Sequence, residues 1–132
     1  MKVALLSREF PPEVYGGAGV HVEYLARELA ALVDLGVHCF GTPRESPLVA
    51  GTYQPWDALA GGGPHRSALR TMSVDLAMAA GVEGCDLVHS HTWYANFAGH
   101  LAKLLYDVPH VATTHSLEPL RPWKAEQLGG GY

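Results

Sequence analysis

The chain alternates between short unbroken apolar runs and longer segments whose apolar residues recur every three to four positions. Lys2 to Ser7 carries the run Val3-Ala4-Leu5-Leu6. Continuous apolarity of this kind marks a parallel strand covered on both faces. A turn-rich stretch runs from Phe10 to Gly19. Beyond it Val22, Leu25, Leu29, Leu32 and Val33 share one helical stripe, with Glu23, Arg27 and Asp34 off it. This spacing predicts a helix from about Gly19 to Leu35, stopped by Gly36. Val37 to Gly41 reads as a second strand and Val49 to Tyr53 as a third. Residues 42–65 are otherwise loop-like, with Pro43, Pro47, Pro55, Pro64 and the flexible Gly61-Gly62-Gly63. Pro64 suits a helix start. Arg66 to Ala80 reads as that helix, with Leu69, Met72, Leu76 and Ala80 on its apolar face and Gly81 at its end. Asp86 to Ser90 predicts a fourth strand, Trp93 to Tyr106 a helix, His110 to Thr114 a fifth strand, and Pro122 to Leu128 a short last helix.

Strands separated by helices at this spacing are βαβ units. They predict an α/β, Rossmann-like parallel sheet flanked by helices on both faces. Such sheets bind ligands beyond the carboxyl ends of their strands. The loops after the first, fourth and fifth strands are therefore where chemistry is expected.

Composition narrows the class. A length of 132 residues fits one domain. A hydrophobic share of 48% with 17% charged residues excludes a disordered chain. Nine Lys+Arg against thirteen Asp+Glu, a formal charge of -4, argue against a nucleic-acid partner. No apolar run approaches the ~18 residues of a membrane span. The apolar stretch near Met1 ends in Arg8-Glu9 and does not read as a signal peptide, so the cytoplasm is the expected compartment. Cys39 and Cys85 suggest no disulfide framework, and Cys39, inside a strand, reads as core. The last residues, Leu128-Gly129-Gly130-Gly131-Tyr132, form neither a capped helix nor a finished strand. The expectation is a truncated domain of a longer protein.

Three strand ends carry candidate chemistry. Gly16-Gly17-Ala18-Gly19 lies between the first strand and its helix. Glycines allow backbone amides to approach a ligand closely, and a helix N-terminus favours an anion such as phosphate. The dinucleotide fingerprint is absent, because its third glycine would fall on Val22. A plain tight turn would look the same. In Val88-His89-Ser90-His91-Thr92-Trp93, residues two apart share a strand face, so His89 and His91 point the same way. His89 reads as a core histidine, and His91, nearer the carboxyl end, as a ligand contact. Thr113-Thr114-His115-Ser116 occupies the matching place one strand over, with Glu118 and Arg121 close behind. A zinc site of His89, His91 and His115 is the competing reading. No Cys or carboxylate completes it at a familiar spacing, and no metal or other cofactor is expected. A Ser-His-Asp hydrolase lacks its Gly-x-Ser-x-Gly elbow.

Ser7-Arg8-Glu9-Phe10-Pro11-Pro12 leading to Gly16-Gly17, then His89-Ser90-His91-Thr92-Trp93, then Thr114-His115-Ser116, resembles the N-terminal half of a retaining GT-B glycosyltransferase. Within that group the chain is most similar to family 4 and to its actinobacterial glycogen synthase-like enzymes. The likeness covers the whole chain and is most specific from His89 to Tyr132. It implies that residues 1–132 are the acceptor-side domain, with the C-terminal nucleotide-sugar domain absent and the fragment inactive by itself. The implied reaction moves glucose from ADP-glucose or UDP-glucose to an α-1,4-glucan or to glucose 1-phosphate. Retention is then explained by front-side attack on a short-lived oxocarbenium ion. The resemblance assigns His115 as the catalytic histidine and Gly16 and Gly17 to the donor phosphate. It assigns Glu9, His91, Thr92, Trp93 and Ser116 to the acceptor. Starch-type synthases carry a Lys where Val14 stands and an Asp where Thr92 stands, departures that favour family 4. The implied partners are the nucleotide sugar and a glucan or sugar-phosphate acceptor, with self-association compatible. The alternative is a non-catalytic Rossmann-like module that binds a nucleotide or sugar phosphate.

Overall fold

A computed structural model describes residues 1–117. Its elements in chain order are β1 (Lys2–Ser7), α1 (Gly17–Ala30), β2 (Asp34–Phe40), β3 (Val49–Tyr53), a 3-10 turn (Asp57–Leu59), α2 (Pro64–Gly81), β4 (Leu87–His91), α3 (Thr92–Tyr106) and β5 (His110–Thr113). The five strands form one parallel sheet in the order β3-β2-β1-β4-β5. The chain works outward from β1 in one direction, then returns to β1's other side with β4. That reversal opens a crevice at the carboxyl ends of β1 and β4, where doubly wound sheets hold ligands. The expected last helix, Pro122 to Leu128, lies outside the described residues.

The two faces of the sheet have separate cores. Leu5, Val37 and Cys39 pack with Val22 and Ala26 of α1. Ala4, Leu6 and Val88 pack with Val74 and Met78 of α2 and with Ala95, Ala98 and Ala102 of α3. Strand alternation explains the split, since successive residues of β1 serve opposite faces. In the parallel register Leu5 sits beside Val37 and His89, and His91 beside Thr113. His89 and His91 therefore stand on the α1 face, while Val88 and Ser90 stand on the α2/α3 face.

Two expectations need correction. The first helix stops at Ala30, not Leu35, and β2 starts three residues earlier than expected. Leu32 is 78% exposed. The amides of Leu32 and Val33 both bond the Leu29 carbonyl, closing the helix, and the Asp34 amide bonds the Met1 carbonyl. Pairing with β1 from Asp34 onward outweighs the helical spacing of Leu32 and Val33, and Gly36 falls within the strand. On α2 the expected apolar face is the exposed one: Leu69, Met72 and Leu76 are exposed. Ser73, Val74, Asp75, Met78 and Ala79 are buried instead. Ser73 faces inward because its hydroxyl is used twice. It donates to the Arg70 carbonyl at 2.7 Å and accepts the Trp56 amide at 3.1 Å, tying the loop before α2 to the helix.

Candidate functional site

The loop after β1 is organised by Glu9. Its Oε2 accepts the amides of Tyr15 and Gly16, both at 3.0 Å. A carboxylate thus occupies the turn that leads into α1, where an anion is favoured by the amides and the helix dipole. Glu9, assigned by resemblance to the acceptor, here holds the glycine turn. The Ser7 hydroxyl supports it by donating to the Glu9 carbonyl at 2.9 Å. The glycines differ sharply. A Cβ on Gly19 would lie 2.6 Å from Glu9 Oε2 and 2.9 Å from both Glu9 Cβ and Val14 Cγ1. A Cβ on Gly17 would meet nothing within 4 Å. Gly19 is therefore glycine for packing, whereas Gly17 fronts open space.

Beneath that turn lies a cluster of imidazoles. His91 Nδ1 and His115 Nε2 are 3.0 Å apart and share a hydrogen bond. His89 Nε2 and Thr113 Oγ1 are 2.8 Å apart. The rings of His89 and His91 are 4.3 Å apart, as one strand face requires. His21 of α1 completes the group, with its ring 5.6 Å from His91 and 5.1 Å from His115. The helix that begins at Gly17 and the loop after β5 thus meet over the end of β4. His115 and Thr92 both adopt positive φ, 55° and 64°. Backbone strain of this kind gathers where a side chain must be aimed.

Burial disfavours the charged form of three of these rings, His89, His91 and His115. His91 is wholly buried, and its pKa falls to about 3, first through desolvation and then through the neighbouring His89, His115 and His21. His115 and His89 are also lowered, again chiefly by desolvation. His91 Nε2 and Thr92 Oγ1 are buried with no hydrogen-bond partner among the described residues. In the His91–His115 pair either tautomer leaves His91 Nε2 unsatisfied, so the pair is held by its surroundings rather than by ideal bonding.

His91 stands at the carboxyl end of β4, where a ligand contact was expected, but is fully buried, and His89, read as a core histidine, is half-buried. Trp93 stacks on Tyr94 with rings 3.9 Å apart at the start of α3. The Ser116 amide donates to the Thr114 carbonyl at 2.6 Å. The structure thus brings His91 and His115 together, and Glu9 and Gly16 together. His21 and Arg8 were not singled out in the sequence. Their signal was position: each stands just beyond the glycine turn or the first strand, at the carboxyl edge. Arg8 stacks over Tyr94, 4.1 Å from the ring centre, and over Tyr15 at 5.6 Å. One ring nitrogen from each of His21, His91 and His115 lies within 4.8 Å of the others, a spacing able to hold a metal ion. This trio differs from the competing zinc reading of His89, His91 and His115, because His89 bonds Thr113 and α1 supplies His21. Cys39 is a core thiol, pushed up to about 11 by burial.

A doubly wound parallel sheet whose glycine turn and imidazoles meet at its carboxyl edge defines a Rossmann-like domain. The profile of Glycosyltransferase Family 4 matches residues 15–131, and the chain belongs to that family. It is 58% identical over its whole length to the alpha-maltose-1-phosphate synthases of Mycolicibacterium smegmatis and Mycobacterium tuberculosis, covering 33% of each. It is 29% identical to the glycogen synthase of Mycobacterium tuberculosis, over 89% of this chain and 34% of that protein. The chain spans about a third of the length of these curated relatives. Among the described residues no helix is long and apolar enough to cross a membrane.

Proposed function

We propose that this chain is the acceptor-side domain of a retaining, cytoplasmic glucosyltransferase. It moves glucose from ADP-glucose or UDP-glucose to an α-1,4-glucan or to glucose 1-phosphate. The observation that carries this reading is the meeting of α1 and the loop after β5, with the His21 and His115 rings 5.1 Å apart. One ligand spanning the Gly17 turn and His115 would have its diphosphate at backbone amides and its sugar at an imidazole. The 58% identity to two maltose-1-phosphate synthases supports the same class of reaction.

The chemistry follows from charge. Positive charge develops at the anomeric carbon as the diphosphate departs, so a cation beside that carbon would oppose the reaction. His115 is held neutral, and its bond to His91 commits Nε2. Nδ1 then meets the donor sugar as a neutral polar group and keeps it in place. Gly17, with open space before it, fits the donor phosphate better than Gly16, whose amide bonds Glu9. The test is product analysis of the full-length protein with each donor, offered glycogen and glucose 1-phosphate in parallel. Glucosyl transfer with retention supports the reading. Donor binding without transfer to any acceptor would favour the non-catalytic module.

A further inference from the structure

His21, His91 and His115 each offer a ring nitrogen within 4.8 Å of the others. His91 Nδ1 and His115 Nε2 already stand 3.0 Å apart. Nitrogens bound at about 2.05 Å to one tetrahedral ion lie about 3.3 Å from each other, so this pair is at coordination spacing. The trio has one fixed member and two adjustable ones. His91 is wholly buried at the end of β4, whereas His21 on α1 and His115 after β5 are exposed. Closing the remaining separation is a rotamer-scale movement for exposed side chains. Three nitrogens leave a fourth tetrahedral position open toward solvent.

The donor set decides which ion fits. Imidazoles with no carboxylate among them select zinc, copper or nickel over magnesium or calcium. Little is given up to bind such an ion. It replaces a single imidazole–imidazole hydrogen bond, and His91 Nε2 is without a partner among the described residues. His89 stands behind the trio rather than in it, because its Nε2 is engaged by Thr113 Oγ1 at 2.8 Å. The N-terminus of α1 opposes a cation, and the Glu9 carboxylate on the Tyr15 and Gly16 amides offsets it.

We propose that His21, His91 and His115 form a three-histidine site for a divalent transition metal ion of the zinc class, and that the occupied site is inhibited. The inhibition rests on the transferase reading above; the binding does not. A doubly charged ion held by His115 would stand beside the anomeric carbon as that carbon gains positive charge, and would oppose departure of the diphosphate. The ion is an inhibitor here, not a cofactor.

The test uses tag-free, metal-stripped full-length protein with His21→Ala and His115→Ala. Thermal melts in chelator establish folding, which exposed positions should not disturb. Calorimetry measures Zn²⁺ and Mg²⁺ binding, and visible absorption of the Co²⁺ form reports tetrahedral coordination. The wild type is expected to bind one zinc equivalent that both variants bind about 100-fold or more weakly, since even the outer partners of metal ligands are worth 10–100-fold. The Co²⁺ bands should vanish in both variants, and Mg²⁺ should leave the site empty. Zinc should halve glucosyl transfer by the wild type at the Kd of the site that H21A removes, and chelator should restore it. A wild type without this zinc equivalent overturns the inference, as does H21A or H115A binding zinc as tightly as the wild type. A filled site with undiminished transfer overturns it too. If the metal-free protein glucosylates no acceptor, the transferase reading fails, and calorimetry alone decides the metal site.

Discussion

The carboxyl edge of the sheet has two unlike sides, divided by β1. On the α1 side, four imidazoles crowd over β4 and β5, and burial keeps His89, His91 and His115 neutral. On the α2 side, Arg8 and Arg70 line a cavity with guanidinium side chains. The same contrast appears in what each side buries. His91 lies on the α1 side with an unpartnered Nε2, and Asp75 lies in α2 with an unpartnered Oδ1. Desolvation drives the histidine down to about 3 and the carboxyl up to about 8, so both are uncharged at neutral pH. Neutral groups can face a carbon that is gaining positive charge, and fixed cations can grip an anion. The fold keeps these tasks apart by packing α1 and α2 on opposite faces of the sheet.

Breaking the neutral side should have the largest effect. His115→Ala in the full-length protein is expected to lower kcat for the proposed transfer by about 10²–10³-fold, the range for losing one transition-state contact. Nucleotide affinity should change little, and unchanged turnover in steady-state assays would remove His115 from the reaction.

The buried groups give the next effect, through pH. The Asp75 carboxyl titrates near 3.8 when unfolded and at about 8 when folded. The folded state therefore holds its proton more tightly, and stability falls as pH rises from about 4 to 8. Asp75→Asn should remove that decline and raise stability at pH 8 by on the order of 5 kcal/mol, read from denaturant melts at several pH values. His91 and His38, lowered to about 3 and about 4, act in the opposite sense. Unfolded histidines bind protons below about 6.5, so these two lose stability as the pH falls from there toward their folded values. A D75N melt series that still declined between pH 4 and 8 would contradict the neutral carboxyl.

The glycine turn sharpens the comparison at smaller scale. Gly19→Ala drives a Cβ into Glu9 and Val14 and should cost about 1–3 kcal/mol of stability, measured by melting. Gly17→Ala meets no atom of the protein and should leave the melt unchanged or raise it slightly. Its Cβ would stand where a phosphate is expected to approach, so the KM for the donor should rise by about threefold to tenfold, roughly 1 kcal/mol. Equal effects of the two substitutions on stability would mean the turn is packed differently.

Much of this fold was legible because β1 and β4 have one role each along their length. Unbroken apolar residues in Val3–Leu6 leave little choice but a covered strand. The end of α1 was not legible, since Leu32 and Val33 fit the helical stripe and only pairing with β1 redirects the chain at Asp34. The inward face of α2 was hidden because polar residues sit in it. Ser73 is buried for its two hydrogen bonds, and Asp75 is buried uncharged. At the site, the shared face of His89 and His91 followed from strand alternation. The arrival of His21 did not, because it depends on how α1 lies across the sheet. The carboxylate of Glu9 on the Gly16 amide depends likewise on a loop's path rather than on spacing.

The central claim is that one sugar diphosphate links the amide of Gly17 to the imidazole of His115. A crystal structure of the full-length protein with ADP-glucose or UDP-glucose bound tests it most directly. The account predicts a donor phosphate oxygen about 3 Å from the Gly17 nitrogen and the glucose within hydrogen-bond reach of His115. A diphosphate held between Arg8 and Arg70 instead, with the sugar away from His115, would contradict it.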